Sequence, residues 1–227
     1  MADDPQITID DEWGARQRVR MVEEQLRARG ISDARVLAAM GAVPRERFVP
    51  ASTRFQAYDD GALAVGEGQT ISQPYIVGYM TAELDVGAEH RVLEVGTGTG
   101  YQTAVLARLA TRVYTVERLP RLAQAAAETL AALGVANVVT RVGDGSLGWP
   151  EEAPFDRIIV TAGAPGVPQT LLNQLTDGGI LVAPVGELSS QRLVRVVRRG
   201  RTFHERPGIG CRFVKLIGGE GWNENGS

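Results

Sequence analysis

Apolar residues in the first part of the chain recur at helical spacing. Val19, Val22 and Leu26 form one series, and Val36, Leu37 and Met40 form a second. Residues three and four positions apart share one face of an α-helix, so the pattern predicts two amphipathic helices between Gly14 and Met40. Gly30 marks the break between them, and Ser32 or Asp33 is placed to cap the second helix.

From Arg91 onward, short apolar runs alternate with longer stretches of helical period. The predicted strands are Arg91 to Val95, Arg112 to Glu117, Asn137 to Val142, Phe155 to Val160, Gly179 to Pro184 and Gln191 to Arg198. The predicted helices are Tyr101 to Ala110, Pro120 to Leu133 and Pro168 to Leu175. Short strands separated by helices predict an α/β domain with a mostly parallel sheet and helices on both faces.

Between these two parts, the stretch from Ala51 to Pro74 is rich in Gly, Ser, Thr and Gln and has no sustained period. A loop of this length inside a compact domain is either disordered or functional. The apolar residues embedded in it argue against disorder. We therefore predict a functional loop.

Composition and charge are those of an ordinary globular protein: 44% of the 227 residues are apolar, 22% are charged, and the formal net charge is −3. Proteins that grip nucleic-acid phosphates usually show a basic excess, so no nucleic-acid partner is expected. The only cysteine is Cys211 and the only histidines are His90 and His204, which predicts neither a disulfide nor a metal site. The acidic N-terminus lacks a signal-peptide pattern, and no apolar run approaches membrane-spanning length, so a cytoplasmic protein with no membrane partner is expected.

Glycine-rich or acidic residues follow three successive predicted strands. They are the turn Gly96, Thr97, Gly98, Thr99 and Gly100, then Glu117, and then Gly143, Asp144 and Gly145. Glycines permit a tight turn and close approach of a ligand, and ligands of parallel sheets bind at the carboxyl ends of strands. Glu117 is placed to accept both hydroxyls of a ribose, and Asp144 to reach an adenine amino group. Together these residues predict a site for an adenosine-containing ligand.

The glycine spacing favours S-adenosylmethionine over a dinucleotide. The dinucleotide fingerprint is G-x-G-x-x-G and offers a helix N-terminus to a pyrophosphate, whereas this chain has G-x-G-x-G. S-adenosylmethionine carries a sulfonium and no phosphate. Glu94, just before the glycines, suits such a positively charged ligand.

Five segments resemble the protein-L-isoaspartate O-methyltransferase family. They are Gly66 to Pro74, Glu94 to Tyr101, Gly143 to Gly145, Ala153 to Asp156 and Gly178 to Gly186. The resemblance runs in order from about Arg18 to Leu216. It implies a Rossmann-like class I S-adenosylmethionine-dependent methyltransferase fold, with a mostly parallel seven-stranded sheet and an N-terminal helical segment.

The implied reaction moves a methyl group from S-adenosylmethionine to the free carboxylate of L-isoaspartyl residues in damaged proteins and peptides, and leaves S-adenosylhomocysteine. The methyl ester carries a good leaving group, which departs as methanol when the backbone nitrogen attacks the ester carbonyl, so the chain can close to a succinimide and reopen as aspartate. D-aspartyl acceptors are left open. An isoaspartyl-containing protein or peptide is therefore the expected partner.

The resemblance also implies roles for individual residues. Ser72 would be catalytic and would contact the substrate. The implied cofactor contacts are Gln69, Thr70, Ile71, Ser72, Glu94, Gly96, Thr97, Gly98, Gly100, Glu117, Asp144 and Gly145. The backbone of Arg212, Phe213 and Val214 would receive the substrate peptide. The family usually continues this last segment with Pro-Leu, whereas this chain has Lys215 and Leu216.

The chemistry of the residues agrees with a carboxylate acceptor. A carboxylate with a pKa near ~4 is ionised at neutral pH and needs no general base, and the loop before Pro74 offers neither His nor Lys. Orientation alone contributes several kcal/mol to such a displacement, so a hydroxyl that positions the carboxylate is enough. Ser72 fits this role. It is equally placed to cap the helix predicted to open at Pro74, and the two roles are compatible.

Three alternatives stay open. The nearest is an aspartyl O-methyltransferase that tailors one dedicated peptide through an aspartimide. A nucleic-acid amino-methyltransferase would usually carry an Asn/Asp-Pro-Pro-aromatic turn where this chain has Val160 to Pro165, and the arginines from Arg192 to Arg201 are interpreted as the solvated side of an edge strand. A binding module without turnover is the third.

The expected organisation is a single methyltransferase domain over residues 14–217, acting as a monomer. Residues 14–74 would form the helical segment and the acceptor-site loop, and residues 75–217 the cofactor-binding core with a C-terminal hairpin. Residues 1–13 and the tail 218–227 are expected to be flexible.

Overall fold

The computed structural model describes residues 10–224, and its first elements are helical. Helix α1 spans Asp11–Arg20, continues as a π-helical turn over Met21–Leu26 and a 3-10 turn over Arg27–Arg29, and is followed by α2 over Ala34–Ala42. Gly30 ends the first helical run with a φ of 92°, and Asp33 caps α2 by accepting a hydrogen bond from the Arg35 amide. The two predicted helices are confirmed. The first begins at Asp11, inside the segment expected to be flexible, and residues 1–9 lie outside the described part.

Residues 51–74, predicted as an irregular loop, contain regular structure. Two 3-10 turns, Arg45–Phe48 and Ala51–Gln56, lead into an antiparallel hairpin of β1, Leu63–Gly66, and β2, Gln69–Ile71. Glu67 and Gly68 at its tip have positive φ angles of 51° and 68°, which suit a two-residue hairpin turn. Strands of three and four residues are too short to show a period, which is why the sequence did not reveal them. Helix α3 then spans Pro74–Leu84.

The remaining elements alternate as predicted. The helices are α4, Tyr101–Ala107, α5, Pro120–Ala132, and α6, Gln169–Asn173. The strands are β3, Arg91–Val95, β4, Arg112–Glu117, β5, Val138–Val142, β6, Phe155–Val160, β7, Leu175–Glu187, β8, Ser190–Arg199, and β9, Thr202–Cys211. The predicted bounds of β3, β4 and β6 agree with the structure at both ends. The predicted Gly179 to Pro184 strand is longer at both ends, and the helix before it stops at Asn173.

The seven strands from β3 to β9 form one sheet in the order β5-β4-β3-β6-β7-β8-β9. The pairs from β5 to β7 are parallel, whereas β7, β8 and β9 are antiparallel to one another. The strand order reverses beside β3, because β4 lies on one side of it and β6 on the other. In parallel sheets this switch point is where ligands bind, and the predicted α/β fold with its seven-stranded, mostly parallel sheet is confirmed.

Alternate residues of β3 face two separate cores. Val92 packs with Leu84 of α3 on one face of the sheet, and Leu93 packs with Leu171 of α6 on the other. A fully buried Val or Leu side chain contributes roughly 1.5–3 kcal/mol, so both faces are firmly held. The loops at the carboxyl ends of the strands therefore project from a rigid base. Among the described residues, no helix is long and apolar enough to cross a membrane.

Of the tail predicted to be flexible, residues 218–224 are described and make defined contacts, whereas residues 225–227 lie outside the described part. Residues 217–224, called the C-terminal strap below, fold back on themselves: the Gly218 amide donates to the Trp222 carbonyl and the Trp222 amide to the Leu216 carbonyl. The Trp222 indole donates to the Gly163 carbonyl at 3.1 Å. The Gly- and Asn-rich composition suggested disorder, but these long-range hydrogen bonds hold the strap against the sheet.

Candidate active site

A cleft of about 930 Å³, open mouth included, lies at the carboxyl ends of β3, β4 and β6. It brings together most of the predicted site residues. They are Gln69, Thr70, Ile71, Ser72, Gly96, Thr97, Gly98, Glu117, Gly145, Phe213 and Val214. The glycine turn and the β1–β2 hairpin, which are far apart in sequence, thus line one cleft.

The glycine turn lets the chain pass close to β6. Gly96 has a φ of 94°, and a Cβ atom there would lie 2.4 Å from Oγ1 of Thr161. That hydroxyl donates to the Gly96 carbonyl at 2.6 Å, so the close approach is stabilised by a hydrogen bond. A larger residue at position 96 would therefore push the turn away from the sheet.

Gly100 is not part of the cleft wall. It is the first residue before α4, with a φ of 90°, and a Cβ there would lie 3.3 Å from the Cβ of Ala126. The glycine thus permits α4 and α5 to pack closely. Its predicted cofactor contact is replaced by a packing role.

Glu117 is held rigidly at the end of β4. Its side chain is almost fully buried; one carboxylate oxygen accepts from the Gly98 amide at 3.0 Å and the other from the Leu119 amide at 3.0 Å. Each oxygen keeps a second lone pair for a ligand. A carboxylate fixed in this way at the edge of a glycine turn fits a ribose with two hydroxyl donors.

Glu94 lies behind the cleft wall instead of lining it. It is fully buried; its Oε2 accepts from Thr103 Oγ1 at 2.5 Å and Thr115 Oγ1 at 2.7 Å, and its Oε1 has no partner. Burial raises the pKa of this carboxyl to about 8, so it is mostly protonated at neutral pH. The sequence placed this carboxyl among the cofactor contacts, whereas the structure places it outside the lining, and burial favours its uncharged form. Glu94 supports the turn through Thr115, whose hydroxyl also bonds that of Thr97 at 2.7 Å.

Asp144 also lies outside the lining, one residue from Gly145. Its Oδ1 accepts from the amide and hydroxyl of Ser146, and its Oδ2 accepts from the Gly219 amide of the strap at 2.7 Å. The carboxylate is therefore already bound within the chain, which the sequence did not predict. The strap and the predicted adenine end of the cleft form one hydrogen-bonded unit.

Ser72 lies in the cleft wall at the end of β2 and does not cap α3. The N-cap position belongs to Gln73, and no side chain caps this helix. The Ser72 carbonyl accepts a hydrogen bond from Nη2 of Arg45 at 2.8 Å. Of the two roles open to Ser72, the helix cap is therefore wrong, and the position in the cleft agrees with a role at the acceptor.

The segment predicted to receive the substrate peptide follows β9 as an extended strand end. The Phe213 amide donates to Oε1 of Gln191 at 2.8 Å, and the Gly163 amide donates to the Val214 carbonyl at 2.7 Å. Phe213 and Val214 line the cleft, whereas the exposed Arg212 does not. The segment is thus fixed beside the end of β6.

Several lining residues were not predicted from sequence. They are Ile76, Val77, Met80, Val95, Thr99, Tyr101, Gln102, Val116, Arg118, Thr161, Ala162, Lys215, Leu216 and Ile217. The rule that ligands bind at strand ends points to Thr161, which directly follows β6. The residues of α3 gave no such signal, since an apolar helix face is normally core. Among the described residues, no group of three His, Cys, Asp or Glu is arranged to hold a metal ion.

The family model of protein-L-isoaspartate(D-aspartate) O-methyltransferase matches residues 16–221. The chain belongs to this family. A protein-L-isoaspartate O-methyltransferase of Trichlorobacter lovleyi is 54% identical over 209 residues, which are 92% of this chain and 96% of that protein. One of Methanoculleus marisnigri is 54% identical over 207 residues, 91% of this chain and 94% of that protein.

Two solved structures agree with the fold. A protein-L-isoaspartate O-methyltransferase superposes with a TM-score of 0.79 at 31% identity; the match covers 89% of this chain and 66% of that longer one. A Plasmodium falciparum protein described as a putative member, in complex with S-adenosyl-L-homocysteine, gives a TM-score of 0.77 at 24% identity and covers 88% of this chain and 98% of that one. The predicted Rossmann-like methyltransferase fold is therefore confirmed.

Proposed function

We propose that this chain transfers a methyl group from S-adenosylmethionine to the free carboxylate of L-isoaspartyl residues in damaged proteins and peptides, which starts repair through a succinimide. One observation carries this proposal: within the stretch that matches the family, a cofactor-type glycine turn and the Ser72 segment line the same cleft. Isoaspartyl-containing chains are the partners, and S-adenosylhomocysteine is the second product.

The residues of the cleft fit S-adenosylmethionine, which supplies an electrophilic methyl group on a sulfonium. Glu117 would accept the two ribose hydroxyls, because its oxygens are fixed by backbone amides and retain free lone pairs. Gly96 and Gly98 have no side chains, so the ligand would pack directly on their backbone, and Gly145 would lie next to its adenine. Glu94 and Asp144 act from behind this wall, by holding the turn and the strap.

Methyl transfer to the acceptor carboxylate requires correct orientation of that carboxylate more than general acid–base catalysis. Its carboxylate is ionised at neutral pH, and the titratable side chains in the cleft lining, apart from Tyr101, are Glu117, Arg118 and Lys215. Glu117 accepts from backbone amides and is assigned to the ribose, and Arg118 forms an ion pair with Glu224 at 3.2 Å. Ser72 is therefore the catalytic residue that we assign: its hydroxyl donates to the acceptor carboxylate and aligns one oxygen with the methyl group.

The substrate peptide would run along the segment from Arg212 to Val214. Phe213 and Val214 line the cleft, and those backbone groups of the segment that are not already bonded within the chain would pair with a peptide of any sequence. A backbone-based site agrees with damage repair, which must accept many sequences. We further propose that the chain acts as a cytoplasmic monomer without a nucleic-acid partner.

The test is transfer of labelled methyl groups from S-adenosylmethionine to two peptides that differ only in isoaspartate against aspartate at one position. We expect base-labile label on the isoaspartyl peptide alone. Label on the aspartyl peptide would instead support a dedicated tailoring enzyme, and no transfer to either peptide would contradict the proposal.

Ser72→Ala should lower kcat on the order of 10- to 100-fold without loss of S-adenosylhomocysteine binding, because only orientation of the acceptor is lost. Ser52→Ala is the matched control, since Ser52 is an exposed serine of the preceding 3-10 turn. Equal kcat values for the two variants would contradict the role of Ser72.

A further inference from the structure

Arg45 is a fully buried cation without a carboxylate partner. It opens the 3-10 turn that follows α2, has 0% exposure, and forms no ion pair with any described residue. The neighbouring Glu46 is bound instead by Arg18 and by the hydroxyl of Tyr58. Burial lowers the pKa of the guanidinium, because removing a charge from water is unfavourable. Because a buried, unpaired cation is unfavourable for folding, its presence at this position indicates a functional role there.

Arg45 contacts two residues that line the cleft, Ser72 and Tyr101, and one that does not, Ala57. Nε donates to the Ala57 carbonyl at 2.5 Å and Nη2 donates to the Ser72 carbonyl at 2.8 Å. Ala57 and Ser72 are the two ends of the segment that contains the β1–β2 hairpin, called the acceptor segment below. One guanidinium therefore closes the base of this segment and is bonded to the catalytic residue itself.

The same guanidinium also contacts the cofactor side of the cleft. Its central carbon lies 4.7 Å from the ring centre of Tyr101, which lines the cleft and opens α4 directly after the glycine turn. Nη1 of Arg45 and the hydroxyl of Tyr101 are buried and have no hydrogen-bond partner. Arg45 thus bridges the acceptor segment and the element that starts at the glycine turn.

This bridge needs the geometry of arginine. The planar guanidinium offers five N–H donors in a fixed fork, so it can reach two carbonyls in different directions and still stack on an aromatic ring. The single ammonium of lysine is a point donor and cannot span both carbonyls while it packs on Tyr101. In-line methyl transfer depends on the distance and angle between acceptor and methyl group, and an error of about 1 Å can cost 100-fold in rate.

We propose that Arg45 is a positioning residue for methyl transfer, which fixes Ser72 relative to the cofactor turn by holding the Ser72 carbonyl and the Tyr101 ring together. The inference rests on the function proposed above for Ser72. It adds a residue 27 positions before Ser72 that touches neither ligand but sets the geometry between them.

The test compares Arg45→Met and Arg45→Lys with Arg47→Met. Arg47 is exposed in the same 3-10 turn, so its loss removes an equal charge from the same neighbourhood. We expect both Arg45 variants to lower kcat for the isoaspartyl peptide on the order of 10- to 100-fold. Their dissociation constants for S-adenosylhomocysteine should stay within roughly twofold of wild type, because the cofactor contacts remain. A kcat equal to that of Arg47→Met would overturn the proposal.

A double-mutant cycle separates positioning of Ser72 from general damage to the fold. If Arg45 acts through Ser72, the Arg45→Lys change should lower kcat by less than roughly twofold in a Ser72→Ala background. Full additivity of the two losses would show that Arg45 acts elsewhere. Loss of folding in both Arg45 variants would likewise contradict the proposal, because the residue would then be structural.

Hydrogen exchange keeps this inference separate from the proposed function. Backbone amides of residues 69–73 should exchange roughly tenfold faster in Arg45→Lys than in Arg47→Met, because the anchor at the Ser72 carbonyl is weakened. Unchanged exchange would overturn the positioning role even in an active enzyme. A wild-type chain that methylates no isoaspartyl peptide, yet shows this difference in exchange, would contradict the proposed reaction and leave the anchor supported.

Discussion

The buried carboxyl of Glu94 should give this protein a distinctive dependence of stability on pH. Its pKa in the folded chain is raised from 4.5 to about 8, mainly because burial disfavours the charged form. The folded state therefore binds a proton more tightly than the unfolded state, and this carboxyl destabilises the fold progressively as pH rises from about 5 to 8. Integrating the proton linkage over that range gives a loss of roughly 3–4 kcal/mol in the free energy of unfolding.

Glu94→Gln removes this dependence, because an amide does not ionise. The amide nitrogen can occupy the position of Oε1, which has no hydrogen-bond partner, so the variant should be about 1–3 kcal/mol less stable than wild type with Glu94 protonated. We therefore expect the variant to be less stable than wild type at pH 5 and more stable at pH 8. The two curves of unfolding free energy against pH should cross between these values.

Urea unfolding followed by circular dichroism at several pH values measures these curves. Other titrating groups are shared by both proteins and cancel in the difference. Glu128→Gln is the control, because it makes the same chemical change at an exposed position on α5. A constant difference between Glu94→Gln and wild type across this range would refute the assignment of a protonated, buried carboxyl.

Three further predictions concern the cofactor side of the cleft. Glu117→Gln should weaken S-adenosylhomocysteine binding by roughly tenfold in calorimetry, since the charge that receives the ribose hydroxyls is lost. Glu220→Ala removes the carboxylate that accepts from the amide and hydroxyl of Thr170, so the strap loosens and the same affinity should fall several-fold, at about unchanged kcat. Gly145→Ala places a Cβ 2.5 Å from Cγ1 of Val95 and should cost about 1–3 kcal/mol of unfolding free energy in urea titrations.

Each of these changes has a matched control in the chain. Glu128→Gln should leave cofactor affinity unchanged. Glu224→Ala alters the same strap, but its ion pair with Arg118 is exposed and should contribute little. Gly143→Ala is expected to be tolerated, because the nearest atom to the new Cβ would be 3.9 Å away. If a control variant changed the measured quantity as much as its partner, the corresponding contact would not be its cause.

The local sequence determined the fold class and half of the site. Apolar residues repeat every second position in a strand and every third or fourth position in a helix, because these are the residues that face the core. The strands and helices after Arg91 were therefore predicted to within a few residues. Because parallel strands end at one edge of a sheet, that order alone placed Gly96, Glu117 and Gly145 together. The resemblance to the family added the prediction that Ser72 is catalytic. The residues alone showed only that its hydroxyl could orient a carboxylate.

Only the tertiary structure decided how those residues behave. The sequence suggests that Glu94 is an anionic ligand, but its complete burial raises the pKa of the carboxyl to about 8 and so favours the uncharged form. The sequence suggests that the Asp144 carboxylate is free to contact an adenine, but the C-terminal strap, more than 70 residues later, binds that carboxylate. Arg45 gave no signal at all, since its partners are the carbonyls of Ala57 and Ser72. Backbone carbonyls occur at every residue, so no sequence pattern marks which of them a buried arginine will meet; that pairing is set by long-range packing alone.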